Sequence, residues 1–544
     1  MAVMKRLAMD MPTVASQSLT GAPTPVADGW HDIEWRTVTH NVKRLQTRIV
    51  KAIQEKRWGK VKALQRLLTR SFSGKALAVR RVTENQGKCT AGVDGITWST
   101  PESKRKAIAS LHQRGYHAQP LRRVYIPKKN GKKRPLSIPT MKDRAMQALY
   151  KLALDPIEET TGDPNSYGFR TGRSAADAIE HCFTIFGNRN PAQWVLEADI
   201  KSCFDKINHD WLMQHTPIEK PILQQWLKAG FIDKQTTFPT TKGTPQGGVI
   251  SPVLMNLTLD GLETELRQHF PRHRRQSVYL VRYADDFIIS AREKPLLEDE
   301  VKPIVERFLS ERGLQLSPTK THITHLEDGF DFLGQTIRRF KGKLIIRPSK
   351  ESIKTFLDKI RCTIRTHLHV TAGELIAILN PMVRGWANYH RYVVSKRTFV
   401  STERQIFFAL WRWARRRHPQ KSATWIRQRY FPPRGRRRWY FSGSIKRDRK
   451  GMMQHIHLVP LARIPIQRHI KVKSAANPFD PAWESYFEQR LDRKMVNHLA
   501  GNQSLRNLWF EQHGICPVCD QKITKRYDGI AIISLGVFMV VAMA

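Results

Sequence analysis

The sequence predicts an α+β protein in which a central antiparallel sheet is followed by a largely helical region. From 194 to 291, short β-branched segments alternate with helical stretches, which is typical of an α+β domain. The segment 278–291 reads VYLVRYADDFIISA, two apolar runs that meet at a pair of aspartates as in a hairpin. From 349 onward, apolar residues recur at helical spacing and leave the other faces to lysine and arginine.

The charge of the chain indicates its partner. Its 544 residues include 92 lysines and arginines against 47 aspartates and glutamates, a formal net charge of +45. Self-repulsion on this scale favours a polyanion, and nucleic acid is the first candidate. An anionic membrane surface is the alternative, but no long basic amphipathic helix stands alone to bind it. Six scattered cysteines do not form a disulfide framework and favour a reducing cytoplasm.

The elements before the central sheet are helices and one hairpin. Helical spacing with basic faces runs over 30–82. After a glycine-rich turn, RRVYIPKKNGKKRPLSIPT predicts two short strands joined by the loop 128–133, since Asn130-Gly131 is a strong hairpin signal. Pro139 ends the second strand, and a helix is predicted from about 142 to 159.

The region after the sheet is predicted to be helical and strongly basic. Its first helix has five apolar positions at helical spacing: Ile353, Phe356, Leu357, Ile360 and Ile364. The densest cationic segment follows at 425–441, where aromatic residues alternate with arginines, a mixture that suits phosphate neutralisation and base stacking. The residues concerned are Trp425, Tyr430, Phe431, Trp439 and Tyr440 with Arg427, Arg429, Arg434, Arg436, Arg437 and Arg438. The alternative is a solvated run of charge.

Three aspartates predict a metal site. Asp285 and Asp286 lie side by side at the hairpin turn, where two like charges repel and raise each other's pKa unless a cation compensates them. Asp199 ends another predicted strand, WVLEAD. Three carboxylates on neighbouring strand ends are the ligand set for two Mg²⁺ ions that catalyse phosphoryl transfer. An ordinary aspartate-containing turn is the alternative for the pair alone.

The segment YADD with its flanking strands resembles the catalytic signature of reverse transcriptases. Six further segments follow the order expected for group II intron reverse transcriptases, or maturases, and the resemblance extends over most of the chain from residue 30. These segments are RRVYIPKKNGKKRPLSIPT, NSYGFRTGRSAADAI, VLEADIKSCFDKINH, GTPQGGVISPVLMNLTLD, GLQLSPTKTHI and FDFLGQTI. The resemblance implies a right-hand polymerase with fingers and palm around the central sheet, then a helical thumb and a basic C-terminal DNA-binding region.

The resemblance also implies roles for residues around the aspartates. Asp199, Asp285 and Asp286 match the catalytic, metal-binding carboxylates, and Ile200 would lend its backbone carbonyl to one metal ion. Phe204 matches the aromatic gate that excludes a ribose 2′-hydroxyl. A core aromatic is the alternative reading of Phe204.

Four further residues match nucleotide-binding positions. Lys128 and Arg134 are candidates for contact with the triphosphate, with template backbone as the alternative. Gln246 lies in PQGG, where an amide can touch the nucleotide. Lys320 matches a palm lysine that would protonate the departing pyrophosphate, and a solvated surface lysine is the competing reading.

The resemblance divides the chain into five units. The segment LNPMVRGWANYHR at 379–391 resembles the thumb motif of maturases, and we expect Trp386 in it to be a core residue. The units are 1–85, an extension of basic helices; 86–345, fingers and palm; 346–445, thumb or maturase domain; 446–512, the DNA-binding region; and 513–544, a truncated HNH endonuclease remnant with an apolar tail.

The last unit departs from the family pattern. Cys516 and Cys519 form CPVC, half of a four-ligand zinc site, but neither a second cysteine pair nor a histidine-rich stretch follows. Zinc binding and endonuclease activity are therefore doubtful. The apolar run 530–544 is shorter than the roughly 20 residues of a spanning helix, so a membrane anchor is not expected.

The expected function is that of an RNA-directed DNA polymerase encoded by a group II intron, which also acts as a maturase in splicing and mobility. The expected partners are the intron RNA, target DNA and dNTPs, in the cytoplasm of a bacterium and at the nucleoid when bound to DNA. Two alternatives stay open: a splicing maturase with an idle polymerase, and a reverse transcriptase of another bacterial retroelement. The sequence leaves open whether the chain dimerises.

Overall fold

The N-terminal part of the computed structural model consists of helices and one hairpin. The model describes residues 29–127, 131, 133–188, 192–271, 278–435, 439–446, 453–499, 503–515, 523, 529–534 and 537–542. The first elements are α1 (Trp35–Gln54), α2 (Trp58–Arg70), α3 (Phe72–Thr83), α4 (Pro101–Ser110), β1 (Leu121–Pro127), β2 (Lys133–Ile138) and α5 (Met141–Thr161).

The predicted hairpin is confirmed. Strands β1 and β2 pair antiparallel, with Pro127 opposite Lys133 at the turn end. Pro139 follows the last residue of β2, and Thr140 then caps α5 by accepting a hydrogen bond from the Asp143 backbone N–H. Helix α5 therefore begins one residue before the predicted start.

The middle of the chain alternates helices and strands as predicted. The elements are α6 (Ala175–Phe186), β3 (Trp194–Asp199), α7 (Cys203–Lys206), α8 (His209–His215), α9 (Lys220–Lys228), β4 (Phe231–Asp233), β5 (Thr236–Phe238), α10 (Ser251–Leu259), α11 (Leu262–His269), β6 (Tyr279–Tyr283), β7 (Asp286–Ala291), a π-helical segment (Leu296–Val301), α12 (Lys302–Ser310), β8 (His322–His325), β9 (Phe330–Phe332), β10 (Gln335–Phe340) and β11 (Lys343–Pro348).

Four of these strands form the central sheet, in the order β6-β7-β3-β8 with antiparallel neighbours. Both of its faces are covered. Phe287 and Ile289 pack into one buried cluster with the N-terminal helices, whereas Ile288 packs with α6 and β9–β11 on the other face. Coverage on both sides explains why these strands read as continuous apolar runs. A second sheet, β2-β1-β4-β5, carries the hairpin.

The C-terminal part begins with four packed helices. Its elements are α13 (Lys350–Thr366), α14 (Ala372–His390), α15 (Lys396–Arg417), α16 (Ala423–Tyr430), β12 (Ser442–Lys446), β13 (Met453–His457), two 3₁₀ turns (Leu461–Arg463 and Pro481–Trp483), α17 (Glu484–His498), α18 (Gln503–Glu511), β14 (Gly529–Ser534) and β15 (Val537–Ala542). In the described part of the chain, no helix is long and apolar enough to cross a membrane.

The helical core confirms the predicted periodicity of α13, but the predicted role of three aromatic residues after α15 is wrong. Four of the five predicted positions of α13 are buried, and Trp386 stacks on Phe356 at 4.5 Å as a core residue. Tyr430, Phe431 and Tyr440 were expected to be stacking surfaces for bases. They are instead buried, because the chain after α16 folds back over the aromatic side of α15.

The segment 469–490 packs against α6, which covers one face of the central sheet. Val472 belongs to the buried cluster on the α6 face of the sheet. The Asp177 carboxylate of α6 accepts hydrogen bonds from the Val472 backbone N–H at 2.8 Å and from Arg490 at 3.0 Å, and it lies 2.9 Å from His469 Nε2. These contacts hold the pKa of Asp177 at about 2 despite its burial.

Candidate active site

Two of the predicted catalytic aspartates lie at the turn of the β6–β7 hairpin. Tyr283 pairs with Asp286, so Ala284 and Asp285 form a two-residue turn. Ala284 has a φ of +59°, a left-handed conformation that is uncommon outside glycine, asparagine and aspartate. This tight turn fixes both carboxylates at one end of the central sheet.

The third aspartate is brought to the same place by the neighbouring strand. In the β3–β7 register Asp199 is directly opposite Asp286, so the prediction of carboxylates on adjacent strand ends is matched by the sheet. Beyond Asp199, Ile200 faces Leu316 in an isolated antiparallel bridge. Its two hydrogen bonds join Ser317 N to Asp199 O and Lys201 N to Gln315 O, so the bridge does not use the Ile200 carbonyl.

The electrostatics of the three carboxylates are those of a crowded acidic site. Although Asp286 is solvent-accessible, loss of surrounding water and the charges of Asp285 and Asp199 raise its pKa to about 6. Burial and the Asp199 charge also raise the pKa of Asp285, against the opposing charges of Arg134 and Lys320. Lys320 Nζ donates to Asp199 Oδ2 at 3.0 Å. The effect on Asp285 shows that the charge of Arg134 on β2 acts at the turn.

The donor set fits a hard divalent cation. Carboxylates and a backbone carbonyl are the oxygen donors that Mg²⁺ takes, and a cation would relieve the repulsion that raises these pKa values. Within the described ranges, no three histidine, cysteine or acidic side chains are already gathered as metal ligands. The three aspartates therefore lie on neighbouring strand ends, and their side chains would have to turn towards one another to bind an ion.

The loop that carries Gln246 contacts α7 and β2. The side-chain Nε2 of Gln246 donates to both carboxylate oxygens of Asp205 at 3.0 Å. The backbone carbonyl of Gln246 accepts a hydrogen bond from the Ser137 backbone N–H at 2.7 Å. Thr244 N donates to the carbonyl of Phe204 at 2.6 Å, and the Phe204 ring is half-buried against the core. The PQGG loop thus ties the predicted gate residue to the hairpin strand β2.

The other predicted site residues are less closely tied to the turn. Arg427 and Arg429 are exposed on α16, far along the chain from the carboxylates, and the Arg427 guanidinium lies 5.8 Å from the ring of Trp439. Lys128, Arg436, Arg437, Arg438, Cys516 and Cys519 lie outside the described residues. Their predicted roles stay predictions.

Residues that support the turn were not predicted. The backbone of 165–167 runs beside β6, with Tyr167 N donating to Arg282 O at 2.9 Å and Arg282 N to Asn165 O at 3.1 Å. A Cβ on the next residue, Gly168, would lie 2.3 Å from the backbone nitrogen of Ala284. Only a glycine lets this segment approach the left-handed turn so closely. Gly168 in the sequence SYGF was the available signal for this close approach, but Ala284, the residue it approaches, is more than 100 residues away in the chain.

Behind the turn lies a fully buried arginine. The Arg282 guanidinium pairs with Asp260 and donates to Asn256 Oδ1 at 3.3 Å, with Asp163 4.0 Å away. The Asn256 amide donates to Glu158 at 2.7 Å and to the Gly168 carbonyl at 2.9 Å. Burial together with the Asp260 charge raises the pKa of Glu158 to about 8. Charged and amide groups therefore fix the turn from behind.

Comparison with protein families assigns the chain to a class. Residues 126–337 match the profile described as reverse transcriptase (RNA-dependent DNA polymerase), and 30–111 match the N-terminal domain of reverse transcriptase. The first match includes Asp199, Asp285 and Asp286. The chain is thus a reverse transcriptase, and this class supports the predicted right-hand polymerase fold.

Two further findings define the family within this class. Residues 353–431 match the maturase-specific domain of group II introns. The group II intron-encoded protein LtrA of Lactococcus lactis subsp. cremoris is 30% identical, over 58% of this chain and 68% of that protein. Protein YkfC of Escherichia coli (strain K12) is 32% identical, over 52% of this chain and 85% of that protein. The chain belongs to the group II intron-encoded reverse transcriptases and maturases.

Proposed function

We propose that this chain copies RNA into DNA at the β6–β7 turn, with Asp199, Asp285 and Asp286 as the catalytic carboxylates. The observation that carries the proposal is the register of the central sheet, which sets Asp199 opposite Asp286 and beside the tight turn of Asp285. Such a site suits phosphoryl transfer, in which catalysis is mostly positioning and charge neutralisation.

Two Mg²⁺ ions are the proposed cofactors. The three aspartates and the Ile200 carbonyl would hold them, and the ions would supply charge neutralisation at the attacking and leaving oxygens. The raised pKa values of Asp285 and Asp286 support a cation at this position, because burial and repulsion between the carboxylates disfavour their charged forms and a bound cation would favour them.

The residues around the turn fit the handling of a deoxynucleoside triphosphate. The charge of Arg134 on β2 acts on the Asp285 carboxylate, and its planar guanidinium group suits a phosphate. Phe204 is proposed as the gate against a ribose 2′-hydroxyl. Lys320 is proposed as the proton donor to the departing pyrophosphate, and its contact with Asp199 at 3.0 Å supports that role. Gln246 and Lys128 complete the proposed nucleotide contacts.

The same chain would bind group II intron RNA and target DNA. The maturase-specific match over 353–431, the net charge of +45 and the exposed arginines of α16 support RNA binding by the helical region. In this proposal α13–α16 act as the thumb, and the basic segments after α16, with Arg436, Arg437 and Arg438, contact nucleic acid backbone.

Primer extension tests the polymerase proposal. Wild-type protein, an RNA template with a DNA primer, dNTPs and Mg²⁺ should give extended cDNA, and Asp285→Ala should give none. The matched control is Asp328→Asn, an exposed carboxylate in the turn between β8 and β9, which should extend as wild type does. Splicing of the intron RNA is measured with the same proteins.

The outcomes separate the two activities. Extension by wild type and Asp328→Asn but not by Asp285→Ala supports the site. Silence from all three, in protein that still promotes intron splicing, would overturn the polymerase proposal and leave a splicing maturase with an idle polymerase.

A further inference from the structure

The outer face of α15 carries a groove that the proposed active site does not use. Its largest cavity, about 570 Å³, is lined by Val400, Glu403, Arg404, Phe407, Phe408, Trp411 and Trp439. Two smaller cavities of about 370 and 390 Å³ share lining residues with it, Phe408 and Trp411 on one side and Val400 and Arg404 on the other. The three cavities therefore adjoin one another along the helix, and we call them together the groove.

The groove presents aromatic rings to solvent. Phe408 is 48% exposed and Trp439 is 36% exposed, although both belong to residue types that normally bury most of their surface. Trp439 meets Trp411 and Phe407 edge-on, each with ring centroids 5.6 Å apart. Behind these rings lies Phe431, which is only 1% exposed. The exposed rings thus stand on a rigid aromatic base.

The rim of the groove is cationic. The Arg404 guanidinium lies 5.7 Å from the ring centroid of Phe408, and that of Arg427 lies 5.8 Å from Trp439. Arg361 and Arg412 line the adjoining cavity. Among the described lining residues of the three cavities the only acid is Glu403, whose carboxylate accepts from the Ala462 backbone N–H at 2.7 Å.

The geometry points to a binding site for an unstacked base in a single-stranded segment of RNA, with the base against Phe408 and Trp439 and its phosphates on the surrounding arginines. This inference rests on the proposed function, because it takes the intron RNA as the ligand. Every base has a flat face that can stack on an aromatic ring, so such a site tolerates different sequences. Duplex RNA offers no free base face, so it should not compete for the groove.

A protein partner fits the groove less well. An apolar docking face would need complementary apolar side chains, and a ring of at least four arginines around it would demand an acidic partner as well. The chain itself is strongly basic, with a net charge of +45, so a second copy would meet this rim with repulsion. Charge complementarity therefore favours RNA over self-association.

Photo-crosslinking tests the site directly. A 5-iodouridine-substituted single-stranded RNA 12-mer is irradiated with the full chain, and adducts are mapped after trypsin digestion. The peptide Gln405–Arg412 contains Phe407, Phe408 and Trp411 and should carry an adduct. Phe408→Leu, which keeps apolar bulk but removes the ring, should lower this adduct at least fivefold, whereas Phe408→Trp should retain it.

Two controls and one parallel assay make the result decisive. Phe183→Ala removes another exposed phenylalanine, on α6, and should leave the adduct unchanged. An unlabelled duplex of the same length should compete poorly. No adduct on Gln405–Arg412, or equal adducts in Phe408→Leu and wild type, would overturn the inference. Loss of a concentration-dependent dimer in Phe408→Leu, measured by sedimentation, would instead identify a self-association face.

Primer extension by the same preparation separates this inference from the proposed function. Protein that extends primers without an adduct on Gln405–Arg412 refutes only the groove. Protein that forms the adduct but never extends a primer refutes only the polymerase proposal.

Discussion

The β6–β7 turn and the maturase-specific region differ in the buried side chains that support them. Besides the apolar core of the sheet, the turn has a buried polar network beneath its backbone, in which Arg282 and Asn256 contact Asp260 and Glu158. In the maturase-specific region, 353–431, the buried cluster consists of aliphatic and aromatic residues from α13–α16. Hydrogen-bonded charges demand one geometry, whereas apolar side chains accept several packings.

The two kinds of buried side chain suit two different structural roles. Buried ion pairs often contribute little net stability, so the network behind the turn is best explained by the position that it fixes. That position is the left-handed Ala284 beside Asp285. The helical region holds a broad surface in place, not one turn. On that surface the rings of Phe408 and Trp439 are exposed beside an apolar core.

The largest effect is expected from breaking the buried charge network. Arg282→Met leaves Asp260 without its partner, so the free energy of unfolding should fall by about 3–5 kcal/mol. Urea denaturation followed by circular dichroism measures the loss. The control is Arg307→Met, which removes an exposed arginine paired with Glu265 and should cost less than about 1 kcal/mol. Equal losses in the two variants would refute the role assigned to the network.

The next effect concerns the close approach of two backbones. In Gly168→Ala the new Cβ would meet the Ala284 backbone at 2.3 Å, so the turn that carries Asp285 should shift. Displacement of about 1 Å can cost about a hundredfold in rate. We expect primer extension to slow by about that factor while binding to the intron RNA is unchanged.

The maturase-specific region offers the matching control for this substitution. Gly385 lies within α14, and a Cβ there meets nothing within 4 Å. Gly385→Ala should therefore leave primer extension unchanged and raise stability by about 0.4–1 kcal/mol, because alanine restricts the unfolded chain. A wild-type extension rate in Gly168→Ala would contradict the proposed support of the turn.

A smaller effect is expected from pH at the junction between the two regions. His390 of α14 lies between Gln335 of β10 and Ser352 of α13, at 2.8 and 3.0 Å. Burial lowers the pKa of His390 to about 4, whereas the unfolded chain titrates near 6.5. Between these values only the unfolded chain binds the proton. Protonation of the unfolded chain therefore lowers the free energy of unfolding as the pH falls from 6.5 towards 4, whereas above pH 6.5 the full stability is kept.

The size of this effect follows from the two pKa values. Between pH 7 and pH 5, the free energy of unfolding should fall by about 2 kcal/mol through His390 alone. Urea denaturation at both pH values should show a smaller loss in His390→Gln. The exposed His322→Gln should keep the wild-type loss. If His390→Gln keeps it too, then His390 is not the titrating group.

The sequence predicted the elements that depend on local patterns. The apolar runs beside Asp285 and Asp286, the pairing of β1 with β2 and the helical period of α13 each lie within about 20 residues. The sequence also predicted Asp199 and the aspartate pair at neighbouring strand ends, which the β3–β7 pairing matches. The exact register, with Asp199 opposite Asp286, was not predicted.

The parts that failed depend on contacts distant in the chain. Phe431 looked like a stacking residue because arginines surround it, but its burial is decided by α15 and the fold of the chain that follows. The support of Ala284 by Gly168 joins residues more than 100 positions apart. Asp177 likewise accepts hydrogen bonds from Val472 and Arg490, which are 295 and 313 residues further along the chain. No local pattern encodes such pairs.

The smallest predicted effect tests whether the helical core is as tolerant as its composition indicates. Leu410 of α15 is fully buried among apolar side chains, and Leu410→Met conserves volume. Its cost should stay below about 1.5 kcal/mol, because a flexible methionine can repack in an apolar site. Arg282→Lys is the corresponding conservative change behind the turn, and it should cost more, since lysine cannot reproduce the planar guanidinium contacts with Asp260 and Asn256. If urea denaturation gave the two substitutions the same cost, the contrast between a geometry-demanding turn and a tolerant helical core would not hold.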